Sequence, residues 1–185
     1  QLHLAKLYKA QKDYTKEREA AERAIQIQPL AVDAWAYLFN CIKDNESEDK
    51  AVAALEELSD APVNAKSAAP YVALQGFYSG EEATRDKAIG FAKKGVQRSP
   101  QDPIALLCLS ALYGQANQLD EVVKLLQPHE PMMAQDVRLA HNYFEALFQQ
   151  RDLGKITGLL NKLATSSNRE VKQFAIERAQ AIKQM

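Results

Sequence analysis

The chain has 185 residues and a formal net charge of −1, from 23 basic and 24 acidic side chains. Its 46% of hydrophobic residues excludes a wholly disordered chain, and the balanced charge argues against nucleic-acid binding through bulk positive charge. No apolar run approaches the roughly 20 residues that cross a bilayer, so we expect no membrane insertion.

Along the chain, the same pattern of large and small residues returns about every 34 positions. One series is separated by 34, 36, 35 and 34 residues and consists of Leu4, Leu38, Leu74, Leu109 and Tyr143. A second is separated by 34, 37, 34 and 34 residues and consists of Ala21, Leu55, Ala92, Leu126 and Leu160. The longer intervals place extra residues in the third unit, near 62–67 and 80–86. A fixed period of this length is typical of helical repeat proteins.

Each repeat is predicted to contain two helices joined by a short turn. In 33–43 the large residues Trp35, Leu38, Phe39 and Ile42 recur at i, i+3, i+4 and i+7, which is one face of a helix. A similar apolar face occupies 50–58, and the polar residues 44–47 form the turn between them. No alternating pattern flanked by turn residues is present, so no strand is predicted.

One helix pair cannot bury its apolar face alone, whereas stacked neighbours can. The sequence therefore predicts an all-α solenoid that forms a single array over 1–185. The expected pairs are 1–29, 31–62, 67–100, 102–131 and 135–168, followed by a capping helix at 169–184 with one narrow apolar stripe. Gln1 occupies a position where later repeats have a large apolar residue. We therefore expect that helices once preceded Gln1, and that the end near Met185 is genuine.

The residues at the repeat positions resemble the signature of the tetratricopeptide repeat (TPR) family. That signature has a bulky residue, Leu, a small residue and Tyr in the first helix, then Ala, an aromatic or Leu, Ala and Pro in the second. The matches are Leu4, Ala5, Tyr8, Tyr14, Ala24 and Pro29; Trp35, Leu38, Ile42, Ala51 and Leu55; Tyr71, Leu74, Tyr78, Ala88 and Pro100; and Leu106, Leu109, Ser110, Tyr113 and Leu126. The fifth unit keeps the register but not the identities. The resemblance implies a right-handed superhelix whose concave groove, lined by the first helices, binds a peptide or another protein.

The resemblance also implies which side chains line the groove. They are Lys6, Lys9, Ala36, Asn40, Lys43, Val72, Gly76, Ile104, Leu107, Ala111, Arg138, His141, Glu145 and Phe148. The middle of this set is apolar, which suits an extended or helical segment with hydrophobic anchors. The alternative is that a C-terminal element or an oligomer contact covers the same floor. Val72→Glu and Leu107→Glu are expected to spare folding and abolish binding.

One TPR subtype binds the C-terminal carboxylate of chaperones through Lys, Asn and Arg side chains at fixed groove positions. Only Asn40 matches when this pattern is aligned from the second repeat onwards, and only Arg138 matches when it is aligned from the third repeat onwards. We therefore expect no clamp for a chaperone C-terminal carboxylate.

Candidate catalytic and metal-binding residues are few. His141 and Glu145 are spaced i, i+4, but a metal site needs three or four ligands, so a polar pair on one helix is the preferred interpretation. Two cysteines, Cys41 and Cys108, lie in apolar surroundings and are interpreted as inert buried thiols, which favours a reducing compartment such as the cytoplasm. The basic stretches around Lys12 and Lys93 alternate with acidic residues and indicate solvated helix faces rather than a nucleic-acid site.

These observations predict a non-enzymatic scaffold or adaptor that binds a peptide or partner helix and needs no cofactor or metal. The alternative is a self-assembling subunit, which forms a homo-oligomer through an uncapped N-terminal end.

Overall fold

The protein is all-helical in its computed structural model, which describes residues 1–184. Within that range it has twelve α-helices, two short 3₁₀ helices at Glu82–Thr84 and Gln127–His129, and no β-strand. The α-helices are α1 (Leu2–Ala10), α2 (Tyr14–Ile27), α3 (Val32–Asn45), α4 (Glu48–Ser59), α5 (Ala69–Tyr78), α6 (Arg85–Arg98), α7 (Pro103–Gln115), α8 (Leu119–Leu126), α9 (Glu130–Met133), α10 (Val137–Gln149), α11 (Leu153–Leu163) and α12 (Arg169–Lys183). None of the described helices is long and apolar enough to span a membrane.

Several helices begin at a polar side chain that accepts a hydrogen bond from a backbone N–H of the first turn. These caps satisfy donors that have no partner inside the helix, which fixes where each helix starts. The capping residues are Asp13, Ser47, Asp102, Asp136, Asp152 and Asn168. Lys12, Asn117 and Arg151 have positive φ angles of 59°, 55° and 58° in the turns that join the two helices of a pair. Because these positions recur in register, the repeat is visible in the backbone as well as in the core.

The residues divide into two compact units, Gln1–Pro100 and Gln101–Met185, the second described to residue 184. Unit 1 contains α1 to α6 and is centred on the fully buried Trp35. Its indole Nε1 donates a hydrogen bond to the carbonyl oxygen of Pro29 at 2.9 Å, and the Ser67 hydroxyl donates to the same oxygen, also at 2.9 Å. This carbonyl therefore ties the turn after α2 to the segment that precedes α5.

Unit 2 contains α7 to α12, and its core holds fully buried leucines such as Leu106, Leu126 and Leu147. Helix α12 packs on α10 and α11 through Phe174, which meets Phe144 edge-on with ring centroids 5.8 Å apart. Arg178 lies over both rings at 5.5 and 5.4 Å from their centroids. The last described helix thus covers the apolar face of the preceding pair.

The extra residues of the third repeat form a local structure of their own. Residues 62–67 make successive turns between α4 and α5, and the 3₁₀ helix Glu82–Thr84 fills the longer connection before α6. Asn64 is buried in this segment, where its Nδ2 donates to the carbonyl oxygen of Leu58 at 2.7 Å. The insertions are therefore accommodated in turns and leave the helix pairs intact.

Candidate functional site

A concavity of about 250 Å³ lies between α3 and α5 in unit 1, and we call it cleft 1. Four of the groove residues predicted from the sequence, Ala36, Asn40, Val72 and Gly76, meet here. The full lining is Val32, Ala36, Phe39, Asn40, Val72, Ala73, Gly76 and Phe77. Seven of these eight residues are apolar, so cleft 1 offers a hydrophobic floor to a ligand.

Two aromatic rings line cleft 1, and one cation lies over one of them. Phe77 contacts Phe39 with ring centroids 4.5 Å apart, and the Lys43 Nζ lies 4.1 Å from the Phe77 centroid. The amide of Asn40 donates to the carbonyl oxygen of Ala36 at 3.0 Å, which leaves its Oδ1 free to accept a hydrogen bond. A Cβ atom on Gly76 would have no heavy atom within 4 Å. The space above Gly76 is therefore open to a ligand.

A second concavity of about 250 Å³ lies among α7, α8 and α10 in unit 2, and we call it cleft 2. Three predicted groove residues, Ala111, His141 and Glu145, line it together. The complete lining is Ser110, Ala111, Gly114, Gln115, Leu119, Val122, His141, Asn142, Glu145, Ala146 and Gln149. About half of these side chains are polar, and none is Lys or Arg.

The polar side chains of cleft 2 are held by a short chain of hydrogen bonds. Asn142 Nδ2 donates to the Ser110 hydroxyl at 2.9 Å, and that hydroxyl donates to the carbonyl oxygen of Leu107 at 3.0 Å. Glu145 Oε1 lies 3.9 Å from His141 Nδ1 and 3.9 Å from an Arg178 Nη2. Both separations exceed hydrogen-bond length, so the polar pair that the i, i+4 spacing suggested is only a loose electrostatic contact.

The remaining predicted groove residues lie outside these two clefts. Lys6 is exposed and has no polar partner among residues 1–184, whereas Lys9 donates to Asp44 at 3.2 Å. Ile104 is exposed and Leu107 is half-buried on α7. Arg138 binds Asp136 through Nε at 3.0 Å and Nη2 at 2.6 Å, and Phe148 stacks on Phe144 with centroids 5.8 Å apart. Lys9, Arg138 and Phe148 already have partners within the chain, so they are less available to a partner protein than Lys6 is.

No family model matches the sequence, and no curated protein matches it. Among solved structures, a thermophilic TPR protein from Thermus thermophilus is 14% identical over 95% of both chains, with a TM-score of 0.46. The crystal structure of the MamA protein is 13% identical over 92% of both chains, with a TM-score of 0.56. The chain has a TPR-like fold. Identity this low shows the fold alone, and it leaves the choice of ligand to the residues themselves.

Two features of the TPR-like helix pairs matter for chemistry. Glu17 is buried and accepts a hydrogen bond from the Tyr37 hydroxyl at 3.0 Å, and burial together with Glu17 raises the pKa of Tyr37. The sequence signal for Glu17 was a charged residue at the repeat position that Ala51 and Ala88 occupy in the next two repeats. Cys41 is buried nearby, and burial raises the pKa of its thiol to about 12. This thiol therefore stays protonated at neutral pH.

Cys108, the other cysteine, is half-buried rather than fully buried, which corrects the expectation from its apolar neighbours. Burial is still the main cause that raises the pKa of its thiol, followed by the negative charge of Asp102. Within residues 1–184, no group of three or more His, Cys, Asp and Glu side chains could hold a metal ion.

Proposed function

We propose that this chain is a non-enzymatic protein-interaction module that binds segments of a partner protein in its clefts. The observation that carries the proposal is the convergence of groove positions from successive first helices onto one concavity in each unit. Ala36 and Gly76 meet in cleft 1, while Ala111 and Glu145 meet in cleft 2. Concave faces of helical repeats present this kind of surface to extended or helical peptides.

The size of the clefts supports a macromolecular partner rather than a free small molecule. Small-molecule sites usually have volumes of about 300 to 1,000 Å³ and bury most of their ligand. Each cleft here has about 250 Å³ and opens to solvent. That space suits single anchoring side chains of a longer segment, whose other residues make contacts along the helices.

A glycine substitution tests the proposal without removing any contact inside the protein. Gly76→Leu would fill cleft 1, since a Cβ at this position meets open space. Gly90→Leu on α6 is the matched control, because Gly90 is also exposed with no heavy atom near an added Cβ. We expect a pull-down from native lysate to lose a partner with Gly76→Leu and to keep it with Gly90→Leu.

The outcomes of this experiment separate the proposal from its alternatives. Circular dichroism of both variants checks that they remain folded. If a partner binds the wild type and both variants equally, its interface lies outside cleft 1. A parallel pair in unit 2, Gly114→Leu and Gly158→Leu, tests cleft 2 in the same way, because an added Cβ meets no heavy atom at either position. Partners retained by all four variants would contradict the proposal.

Self-association is a second candidate function, and exposed apolar side chains in the first helix pair and the turn that follows it favour it. These side chains are Leu4, Leu7, Ile27 and Leu30, with exposed fractions of 37%, 60%, 64% and 72%. Half of the exposed large hydrophobic residues among 1–184 thus lie within the first 30 residues. Apolar surface concentrated in this way marks contact sites between proteins.

Sedimentation velocity over a concentration series tests self-association. We expect wild-type oligomers to dissociate in the double variant Leu7→Lys, Ile27→Lys, because two charges would have to be buried in the contact. Leu153→Lys is the control, since Leu153 is 61% exposed on α11 in unit 2. If the wild type remains a monomer at high concentration, self-association is not a function of this chain.

A further inference from the structure

Cleft 2 is rich in hydrogen-bond acceptors. Its lining includes the carboxylate of Glu145 and the side-chain amides of Asn142, Gln115 and Gln149. Asn142 uses its Nδ2 on Ser110, so its Oδ1 is free to accept. No Lys or Arg belongs to the lining, and Arg178 of α12 lies 3.9 Å from Glu145 Oε1, which is beyond hydrogen-bond distance.

Glu145 is the strongest acceptor in cleft 2, and its hydrogen-bonding capacity is unused within residues 1–184, although Arg178 makes a loose ion pair with it. Neither of its carboxylate oxygens accepts a hydrogen bond from another side chain or backbone group within residues 1–184. Its two cationic or potentially cationic neighbours, His141 and Arg178, both stop at 3.9 Å from the same oxygen, Oε1. Arg178 is also engaged with the rings of Phe144 and Phe174. A carboxylate can accept about four hydrogen bonds, so Glu145 is available to an external donor.

We propose that cleft 2 binds an arginine side chain of the partner protein, with Glu145 as the anion that receives it. A guanidinium carries five N–H donors in a planar fork, and it can bind a carboxylate in bidentate fashion while donating to neighbouring amide oxygens. Its methylene stem would lie on Ala111 and Gly114, where an added Cβ on Gly114 meets no heavy atom within 4 Å. This inference rests on the proposed interaction function and names the ligand of one of its two clefts.

Arginine fits these acceptors better than lysine does. The ammonium of lysine is a compact charge with three donors, which one carboxylate and water can satisfy. Cleft 2 instead offers a carboxylate and several separate amides around an open floor, an arrangement that matches donors spread over a plane. Cleft 1 is the internal contrast: it has one polar residue in its lining, and a lysine, Lys43, lies over the ring of its lining residue Phe77.

The test uses N-acetyl-arginine methylamide as the probe and the full chain as the receptor. Titration is followed by ¹H–¹⁵N NMR at low ionic strength, with N-acetyl-citrulline methylamide as the neutral isostere. We expect saturable shifts at Ala111, Gly114 and Gln149 with the arginine probe, and affinity at least about tenfold lower for citrulline, because the charged hydrogen bond is lost. The lysine probe should bind several-fold more weakly than arginine.

Two variants show whether Glu145 is the receiving group. Glu145→Gln should lower the affinity for the arginine probe about tenfold, because it removes the charge and keeps the shape. Glu121→Gln on α8 is the matched control, since it removes an exposed charge of the same unit that does not line the cleft. Equal binding of arginine and citrulline, or equal loss in both variants, would overturn the inference.

The failure of this inference can be told apart from the failure of the proposed function. If a captured partner is lost with Gly114→Leu but retained with Glu145→Gln, cleft 2 binds a partner segment and the arginine assignment is wrong. If the partner is retained by every cleft variant, the proposed function itself fails.

Discussion

Cleft 1 and cleft 2 are built from the same positions of the repeat, yet they differ in chemistry. In unit 1 these positions carry Asn40 and Gly76 beside a floor of Val and Phe side chains, and in unit 2 they carry Ala111 and Glu145 among amides. The register of a repeat fixes which positions face a concavity, because successive first helices present the same face. The identity at each position then sets the ligand. Under the two proposals above, one chain would bind an apolar anchor at cleft 1 and a cationic anchor at cleft 2.

The largest expected effects come from the cores beneath the two clefts. Trp35→Ala should lower the free energy of unfolding by about 3–5 kcal/mol, and Leu109→Ala by about 2–5 kcal/mol, since both side chains are buried and leave cavities. Trp35→Ala also removes the hydrogen bond to Pro29. Urea unfolding followed by circular dichroism measures both effects. A loss below about 1 kcal/mol in either variant would contradict the packing described for that unit.

Glutamate substitutions in the two units should differ in their effect on the free energy of unfolding. Val72 is only 8% exposed, so Val72→Glu would bury a charge without a partner and should destabilise unit 1 by about 3 kcal/mol. Leu107 is half-buried on α7, and Leu107→Glu should cost less than about 1 kcal/mol, because its carboxylate can reach water. The sequence analysis expected both variants to spare folding, and the burial of Val72 revises the first of these expectations.

The same urea measurement decides this prediction. The Val72→Ala variant is its control, because it removes the valine methyl groups without adding a charge. If Val72→Glu and Leu107→Glu have equal stability, the floor of cleft 1 is more open than its burial indicates.

Glycine substitutions have a smaller effect, of the opposite sign. Gly76→Leu and Gly90→Leu should each stabilise the chain by about 0.5–1 kcal/mol, because glycine is a poor helix former and an added Cβ meets no heavy atom within 4 Å at either position. Thermal unfolding of the two variants measures the gain. Destabilisation by Gly76→Leu, with stabilisation by Gly90→Leu, would mean that the space above Gly76 is closed.

The sequence predicted the helices better than it predicted the chemistry of the clefts. Periodicity was sufficient to pair α3 with α4, whereas Ala36 and Gly76 were expected in the groove only because the sequence resembles the TPR family. It could not reveal that Val72 is buried, because burial depends on how closely a neighbouring helix packs. It also suggested a His141–Glu145 pair from spacing alone, whereas side-chain rotamers leave those groups 3.9 Å apart.

The smallest effect concerns Arg138, a groove cation of unit 2 that is paired with Asp136, whereas Lys6 of unit 1 has no polar partner among residues 1–184. Hydrogen bonds from Arg138 are the main cause that lowers the pKa of Asp136, whose side chain is 18% exposed at the start of α10. A carboxyl group whose pKa is lower in the folded state stabilises the fold above its unfolded pKa of about 3.9. That stabilisation is lost as the pH falls through the lower, folded value.

Asp136→Asn should therefore reduce the free energy of unfolding at pH 7 by about 0.5 kcal/mol, because asparagine still caps α10 but cannot pair with the Arg138 charge. The difference from wild type should shrink as the pH falls from about 5 to below about 3, when the wild-type carboxyl becomes protonated. Urea unfolding at several pH values measures it, with Asp86→Asn as a control for the loss of an exposed charge. A difference that stays constant with pH would mean that Arg138 is not held by Asp136, and that unit 2 offers a free groove cation as unit 1 does.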